Sequence, residues 1–438
     1  MDSLTVIGAG LAGCEAAFAA VRLGVSVALY EMKPKNFSPA HSSHLPAELV
    51  CSNSLGSISE KSASGLLKEE MRILQSVVMK SADSCAVPAG QALAVDRNVF
   101  SQQIARMIED EKRITFIREE VTEIPQNGIV IIATGPLTSD FLAESISKKL
   151  GVASLYFYDA ISPIVVAESI DMNKAFRASR YDKGGEDYIN FPLTKEEYYD
   201  FVKELLSAKT FPYHAFEISQ VFEGCMPIEE MAQRGLETLA HGPMKPVGLV
   251  DPRTGKRPYA VVQLRAENRE CSLYNLVGFQ TKMIQSEQDR ILRKIPGLEN
   301  AEFVRWGSMH RNTYINAPLV VTRKQELKSE PRIIFAGQIV GVEGYLESAA
   351  SGIIAGFVAV GKIKNVEVDI PPPTTIIGAL LHRIESNVSE YTPMNANWGI
   401  LPPLERKVPK DKRKELLRER ALCHIKDYKE NIEGLLSG

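Results

Sequence analysis

Leu4-Thr5-Val6-Ile7-Gly8-Ala9-Gly10-Leu11-Ala12-Gly13-Cys14-Glu15-Ala16-Ala17, near the start of the chain, decides the fold. Leu4 to Ile7 reads as a short apolar strand and Gly8 to Gly13 as a glycine turn. Leu11 to Leu23 reads as an alanine-rich helix that Gly24 ends. Val25 to Tyr30 follows as a second strand, closed by Glu31, 18 residues beyond Gly13. Gly8, Ala9, Gly10, Leu11, Ala12 and Gly13 satisfy G-x-G-x-x-G in the setting that gives this pattern meaning: strand, turn, helix, strand, acid. Gly10 lets the backbone approach a pyrophosphate, the helix N-terminus attracts its charge, and Glu31 accepts hydrogen bonds from a ribose. The expected class is α/β, a doubly wound Rossmann-like domain.

Working outward, two further segments bear on which dinucleotide is bound. Ile131-Ile132-Ala133-Thr134-Gly135 is a strand ending in a small-residue turn, placed to pass the cofactor a second time. Ile333 to Ala336 is another strand, followed by Gly337-Gln338, Gly341, Gly344-Tyr345 and a small-residue helix from about Glu347 to Val360. A second glycine-rich helix start aims backbone N–H groups at a second part of the cofactor, which favours FAD over NAD. The plainer alternative is tight helix–sheet packing by small residues. Gly65 to Leu74 and Asp96 to Glu109 read as helices, and Lys33 to Ser64, rich in Pro, Ser and His, as a long loop of the kind that is functional or disordered.

From about Gly151 the texture changes, with many tyrosines and phenylalanines, turn signals at 182–185 and 251–255, and a strand at Tyr259 to Leu264. Residues 155–301 are therefore expected to form an inserted α+β domain. Residues 1–154 and 302–438 form the discontinuous cofactor domain, and the tail from Glu405 an exposed amphipathic helix. The 438 residues fit two or three domains, and 45% hydrophobic and 24% charged residues describe an ordinary globular chain. A net charge of −3 excludes a polycation, so any nucleic acid must meet local basic patches. The six cysteines make no CxxC pair, which argues against zinc and thioredoxin-like chemistry and for no bound metal. Free thiols, no apolar run near the ~18 residues of a membrane span, and no basic leader point to the cytoplasm.

Four blocks resemble one family: 47–54 (Ala-Glu-Leu-Val-Cys-Ser-Asn-Ser), 223–229 (Glu-Gly-Cys-Met-Pro-Ile-Glu), 242–249 (Gly-Pro-Met-Lys-Pro-Val-Gly-Leu), and 335–352 with its glycine-rich helix start. Met309-His310-Arg311-Asn312 and Pro393-Met394-Asn395-Ala396-Asn397 add to them. Together they resemble the folate- and FAD-dependent tRNA (uracil-5-)-methyltransferases across nearly the whole chain. One stretch departs: where the family carries a basic residue soon after the leucine and then an asparagine-containing run, this chain has Leu55-Gly56-Ser57-Ile58-Ser59-Glu60-Lys61. The resemblance implies methylation of the T-loop uridine of tRNA, with methylenetetrahydrofolate as donor and NAD(P)H as reductant. It implies cofactor contacts from the fingerprint residues, Glu31, Lys33, Val121, Thr134, Gly135, Gly337, Gln338, Gly344 and Tyr345.

Carbon 5 of uracil is a poor nucleophile until a thiolate adds at carbon 6, so this chemistry needs an activated cysteine. Cys14 and Cys85 lie in apolar contexts and read as small core residues. The resemblance singles out Cys225 as nucleophile candidate and Cys51 as second cysteine, with an exchange of roles open. Candidate RNA contacts are Lys245, Arg253, Lys256, Arg257 and Arg265, then Arg305, His310, Arg311, Arg323 and Lys324, with Tyr259, Trp306 and Tyr345 for base stacking. His41 and His44 are weaker candidates for folate or RNA. The rival readings are the same chemistry on ribosomal RNA, a related wobble-uridine modification protein with a longer helical C-terminal region, a flavin-carrying RNA-binding protein, and a small-molecule FAD oxidoreductase.

Overall fold

The computed structural model describes residues 3–151, 155–211, 226–385, 393–405, 408–409 and 411–436, and only the backbone at 155–159 and 310–313. The opening strand, Ser3–Ile7, is central to a five-stranded parallel sheet. Its order is Ile333–Phe335, Ile129–Ile132, Ser3–Ile7, Ser26–Tyr30, Ile114–Ile117. Segments more than 300 residues apart in sequence thus share one sheet, and the architecture is the α/β, Rossmann-type class expected from the fingerprint.

The two glycine-rich helices, Leu11–Arg22 and Tyr345–Lys364, pack on each other inside this body. A Cβ at Gly356 would sit 2.7 Å from the Ala16 carbonyl oxygen, and one at Gly352 would overlap the Ala12 backbone. Small residues are therefore a packing requirement here, as well as a source of open helix ends. Tyr345–Lys364 has 20 residues with a mean hydropathy of 1.4, long and apolar enough to cross a membrane. No run of this length was expected from the sequence; 78% of it lies inside the core, where its apolar surface meets the first helix and the sheet.

The long segment after Lys33 is ordered by polar contacts. Lys33 Nζ donates to Leu45 O at 2.8 Å and to Glu48 Oε2 at 3.1 Å. Glu48 Oε1 in turn accepts from the backbone of Ser42 at 2.8 Å and Ser43 at 3.1 Å. Part of the expected loop is a strand: Ser54–Ser57 pairs with Ala92–Val95, which also pairs with Ala86–Val87. The two helices that follow run over Ala63–Ile73, capped by Ser62, and Arg97–Asp110, capped by Asp96. Sequence reading missed the short helix between them, Val77–Ser84.

A second core surrounds a six-stranded antiparallel sheet. Its order is Phe176–Arg177, Tyr188–Leu193, Ala260–Ala266, Leu273–Leu276, Ile164–Val166, Phe303–Arg305. Ala260–Ala266 is buried at every position, which is why it shows no apolar–polar alternation in sequence. Helix Lys195–Ser207, opened by a Thr194/Glu197 capping box, covers this sheet with Tyr198, Phe201, Val202 and Leu205. The tail helix, Arg413–Leu436, is amphipathic as expected but not simply exposed. Leu417, Ala421, Ile425, Tyr428, Ile432 and Leu436 seat one face in the first core.

Candidate active site

The glycine turn separates two kinds of glycine. Gly8 has φ +98°, and a Cβ there would lie 2.7 Å from Ala133 O. A Cβ at Gly13 would overlap Gly8 O. Backbone geometry and packing demand glycine at both. Gly10 is different: φ is −74°, and a Cβ would meet no atom within 4 Å. Neither strain nor protein contact requires glycine at 10; its missing side chain leaves room in the cavity it lines. That is the fit expected of a pyrophosphate cradle at the start of a buried helix. Beside it, Glu31 Oε2 accepts from Ala9 N at 3.1 Å and Oε1 from Lys33 N at 3.1 Å, which orients the carboxylate.

Two connected cavities carry the remaining expected cofactor residues. A narrow one of about 80 Å³ is lined by Gly8, Ala9, Glu31, Lys33, Val121 and Thr134. A larger one of about 540 Å³ is lined by Leu11, Ala12, Gly135, Gly337, Gln338 and Tyr345, with Gly344. Gly10, His41, Glu48, Thr134 and Leu137 border both, so the two form one elongated site over the parallel sheet. Gly13 lies outside this lining. The shape suits an extended dinucleotide with its adenosine end by Glu31 and its ring system in the wider part.

At the wide end, left-handed Gly337 (φ +88°) and Gly344 (φ +116°) turn the chain into Tyr345–Lys364. Tyr345 is half-buried, its hydroxyl held well above the usual range, first by desolvation. That oxygen accepts the Cys51 N–H at 2.7 Å and the Ser52 N–H at 3.3 Å. Cys51 is half-buried and lines the cavity. Arg97 fixes its approach: Nη1 donates to Leu49 O at 2.7 Å and Val50 O at 3.1 Å, while Nε meets Glu267 Oε2 at 2.6 Å. Arg265 Nη2 donates to Ser52 Oγ at 2.8 Å and its Nε to Asn53 Oδ1 at 2.9 Å. Arg97, itself paired with Glu267, and Arg305 both interact electrostatically with Cys51.

The other cysteines divide clearly. Cys225 lies outside the described residues. Downstream, Ile228 N donates to Gln280 O at 2.7 Å, and Gln280 lines the wide cavity. Cys14 is buried, its thiol pushed far up by burial and next by Glu15. Cys85 is pushed up to about 11 by burial. Both are core residues, as expected.

The basic candidates scatter. Arg265 is buried against Ser52 and Asn53, and Arg253 is bound to Asp251 within its own turn at 2.8 Å. Arg323 lies 3.7 Å from Asp369, and Lys324 3.1 Å from Glu367. Lys245, Lys256 and Arg257 are exposed, and the side chains of His310 and Arg311 lie outside the described residues. Trp306 stacks on Phe303 with ring centroids 4.4 Å apart, and Tyr259 joins Tyr198 and Tyr199, so only Tyr345 of the three aromatics lines the site. His41 borders both cavities, with Nδ1 2.8 Å from Ser38 Oγ. His44 instead offers its carbonyl to Arg118 at 2.9 Å.

Sequence reasoning missed Arg97, Glu267 and Glu347. Arg97 and Glu267 are 170 residues apart, and no spacing rule joins them. Glu347 accepts the Ala396 N–H at 2.9 Å, which lays the 393–397 block along the cavity rim. The departure at Gly56 also has a structural reason. Its φ is +77°, and a Cβ there would lie 2.8 Å from Ser64 Oγ and 3.8 Å from Lys68 Nζ. A buried cation already stands behind that wall.

The family described as glucose inhibited division protein A matches residues 3–367. Aquifex aeolicus GidA, in its form I crystal, superposes with a TM-score of 0.73, covering 99% of this chain and 77% of that one, at 17% identity. Fold and site thus define a dinucleotide-binding protein of the GidA type. The methylenetetrahydrofolate–tRNA-(uracil-5-)-methyltransferase TrmFO of Geobacter sulfurreducens is 56% identical over 97% of this chain and 98% of its own. The protein of the same name from Geotalea uraniireducens is 58% identical over 97% and 98%. The chain belongs to the TrmFO family.

Proposed function

We infer that this chain methylates carbon 5 of a uridine in the T loop of tRNA, with methylenetetrahydrofolate as one-carbon donor, FAD as resident cofactor and NAD(P)H as reductant. The names of its relatives support the reaction. The observation that carries it is Cys51, held by the Tyr345 hydroxyl and flanked by Arg97 and Arg305, at the wide end of a dinucleotide-shaped site. When bound and reduced by NAD(P)H, the flavin would supply one-carbon transfer and the hydride that makes methylene a methyl group.

The chain's own residues do the rest. Gly10 and the start of Leu11–Arg22 would hold the pyrophosphate, Glu31 the ribose, and Gly337, Gln338 and Tyr345 would border the ring end. Lys33 and Val121 complete the adenosine end, and Thr134 and Gly135 the middle. A thiolate adds to carbon 6 of the uracil, and the displaced electron pair makes carbon 5 an enolate carbon able to attack. After the one-carbon unit is joined, the carbon 5 proton leaves to a base and the carbon–sulfur bond breaks. We assign the addition to Cys225 and the proton to Cys51. Residues 155–301 are read as an inserted domain on a cofactor domain made of 1–154 and 302–438, with the uridine entering at the seam. No disulfide joins the five described cysteines to one another, which fits a cytoplasmic enzyme.

The test is a single turnover with folate labelled in its methylene group and a tRNA transcript, followed by mapping of the modified nucleotide. Label at carbon 5 of the T-loop uridine is expected. Label in ribosomal RNA alone, or flavin-dependent NAD(P)H oxidation with no transfer to RNA, overturns the reading.

A further inference from the structure

We propose that the turn Arg180–Gly185 is a docking element for the RNA substrate, in which Tyr181 stacks on an unpaired base beside the target uridine. The proposal rests on the tRNA reading above and adds to it a residue and a surface. Tyr181 is 62% exposed, yet it is not loosely held. Tyr181 and Asp182 adopt φ of +59° and +52°, the left-handed region that ordinary side chains avoid. Two consecutive strained residues persist only where their surroundings impose them, and such strain gathers at ligand clamps.

The surroundings are specific. Tyr181 N donates to Gly248 O at 2.8 Å, and the ring lies over Gly248, where a Cβ would come within 3.0 Å of it. Arg180 braces the turn from below, with Nε on Gln263 Oε1 at 2.9 Å and Nη1 on Val247 O at 2.8 Å. Gly90 N donates to Asp187 Oδ2 at 2.6 Å, which ties the end of the turn to the loop beside it. Beneath it, the buried Ser179 hydroxyl has no hydrogen-bond partner, a polar group left over at the base of the clamp.

The turn also stands in register with the catalytic cavity. Gln263 and Arg265 are two apart on one strand and so face the same way, about 7 Å apart. Arg265 holds Ser52, next to Cys51, while Gln263 holds Arg180, next to Tyr181. Arg265 is buried and Arg97 is paired with Glu267 inside this link, so the cations offered beside the exposed ring are Arg180 and the exposed Lys183. RNA loops are recognised in this way, by splayed bases on aromatic faces and phosphates on cations.

The experiment uses flavin-loaded full-length protein and an unmodified tRNA transcript. Tyr181→Ala should weaken tRNA binding about 5- to 150-fold, the loss of one stacked base. Tyr181→Phe should bind like the parent, and flavin content and melting temperature should be unchanged in both. Lys183→Gln should lower the slope of log affinity against log salt by about 1. Should the alanine variant fail to fold, tRNA carrying 4-thiouridine in the T loop is crosslinked to the parent protein, with Tyr181 expected in the linked peptide. Binding by folded Tyr181→Ala within twofold of the parent, or crosslinks confined to other segments, overturns the proposal and leaves the methylation reading standing. Parent protein that transfers no label to tRNA removes that reading instead.

Discussion

The two cores of this protein are built from opposite materials. Around the parallel sheet, the buried helices are made of alanine and glycine, and their backbones nearly touch at Ala12 and Gly352. Around the antiparallel sheet, the volume is filled by rings: Phe191, Tyr198, Phe201, Tyr274 and Phe279. Small residues bring two helix ends together beside one cavity, which residues from both starts line. Aromatic packing makes a stiff platform that needs no ligand. Between them runs a buried polar seam, with Arg97 on Glu267, Arg265 on Asn53 and Asn275 on Glu267, and Cys51 sits at its end. Binding is thus assigned to the small-residue core, rigidity to the aromatic one, and chemistry to the boundary.

The sharpest way to break this division is at the boundary. Cys51→Ala should lower methyl transfer on the order of a thousandfold or more while the protein stays folded and yellow, measured as label transferred per turnover against the flavin spectrum. Full activity in that variant would remove Cys51 from the reaction. The next largest effect separates the glycines. Gly13→Ala and Gly352→Ala force a methyl group into backbone atoms and should cost about 3 kcal/mol or more of stability in denaturant titrations. Gly10→Ala should leave the unfolding midpoint alone and weaken FAD binding on the order of tenfold, followed by flavin fluorescence. Equal losses of stability at all three positions would erase the distinction.

Seam and core can be compared in the same way. Arg97→Met leaves Glu267 buried without its cation and frees the Leu49 and Val50 carbonyls. Thermal melts should show a loss of roughly 3–5 kcal/mol, or roughly 10 °C. The smallest effect tests the cation behind the cavity wall. Burial lowers Lys68 from 10.5 to about 8. Between those values the unfolded chain holds a proton that the folded chain does not, so this group makes stability rise with pH. Lys68→Met should flatten that part of the stability–pH curve, read as the difference between variant and parent from pH 8 to 10.5.

Local chemistry made some of this legible. Gly8 to Gly13 and Glu31 announce a strand, a turn and a helix because each residue's role depends on its near neighbours. Cys51 stood out only through its block, and Cys225 lies outside the described residues. The strand Ala260–Ala266 was seen but not its burial, since a strand covered on both faces loses alternation. Helix Val77–Ser84 was missed because eight residues are too short a stretch for a helical period to be told from a buried strand.

The sequence by itself determined the dinucleotide turn, the parallel-sheet class and the family, since these rest on contacts between residues close along the chain or on long matching blocks. Tertiary structure alone decided that Gly10 faces space while Gly13 faces backbone, that Arg265 serves the site rather than the surface, and that Arg97 meets Glu267. Those facts depend on distances between segments up to hundreds of residues apart, and only the folded packing of two unlike cores sets them.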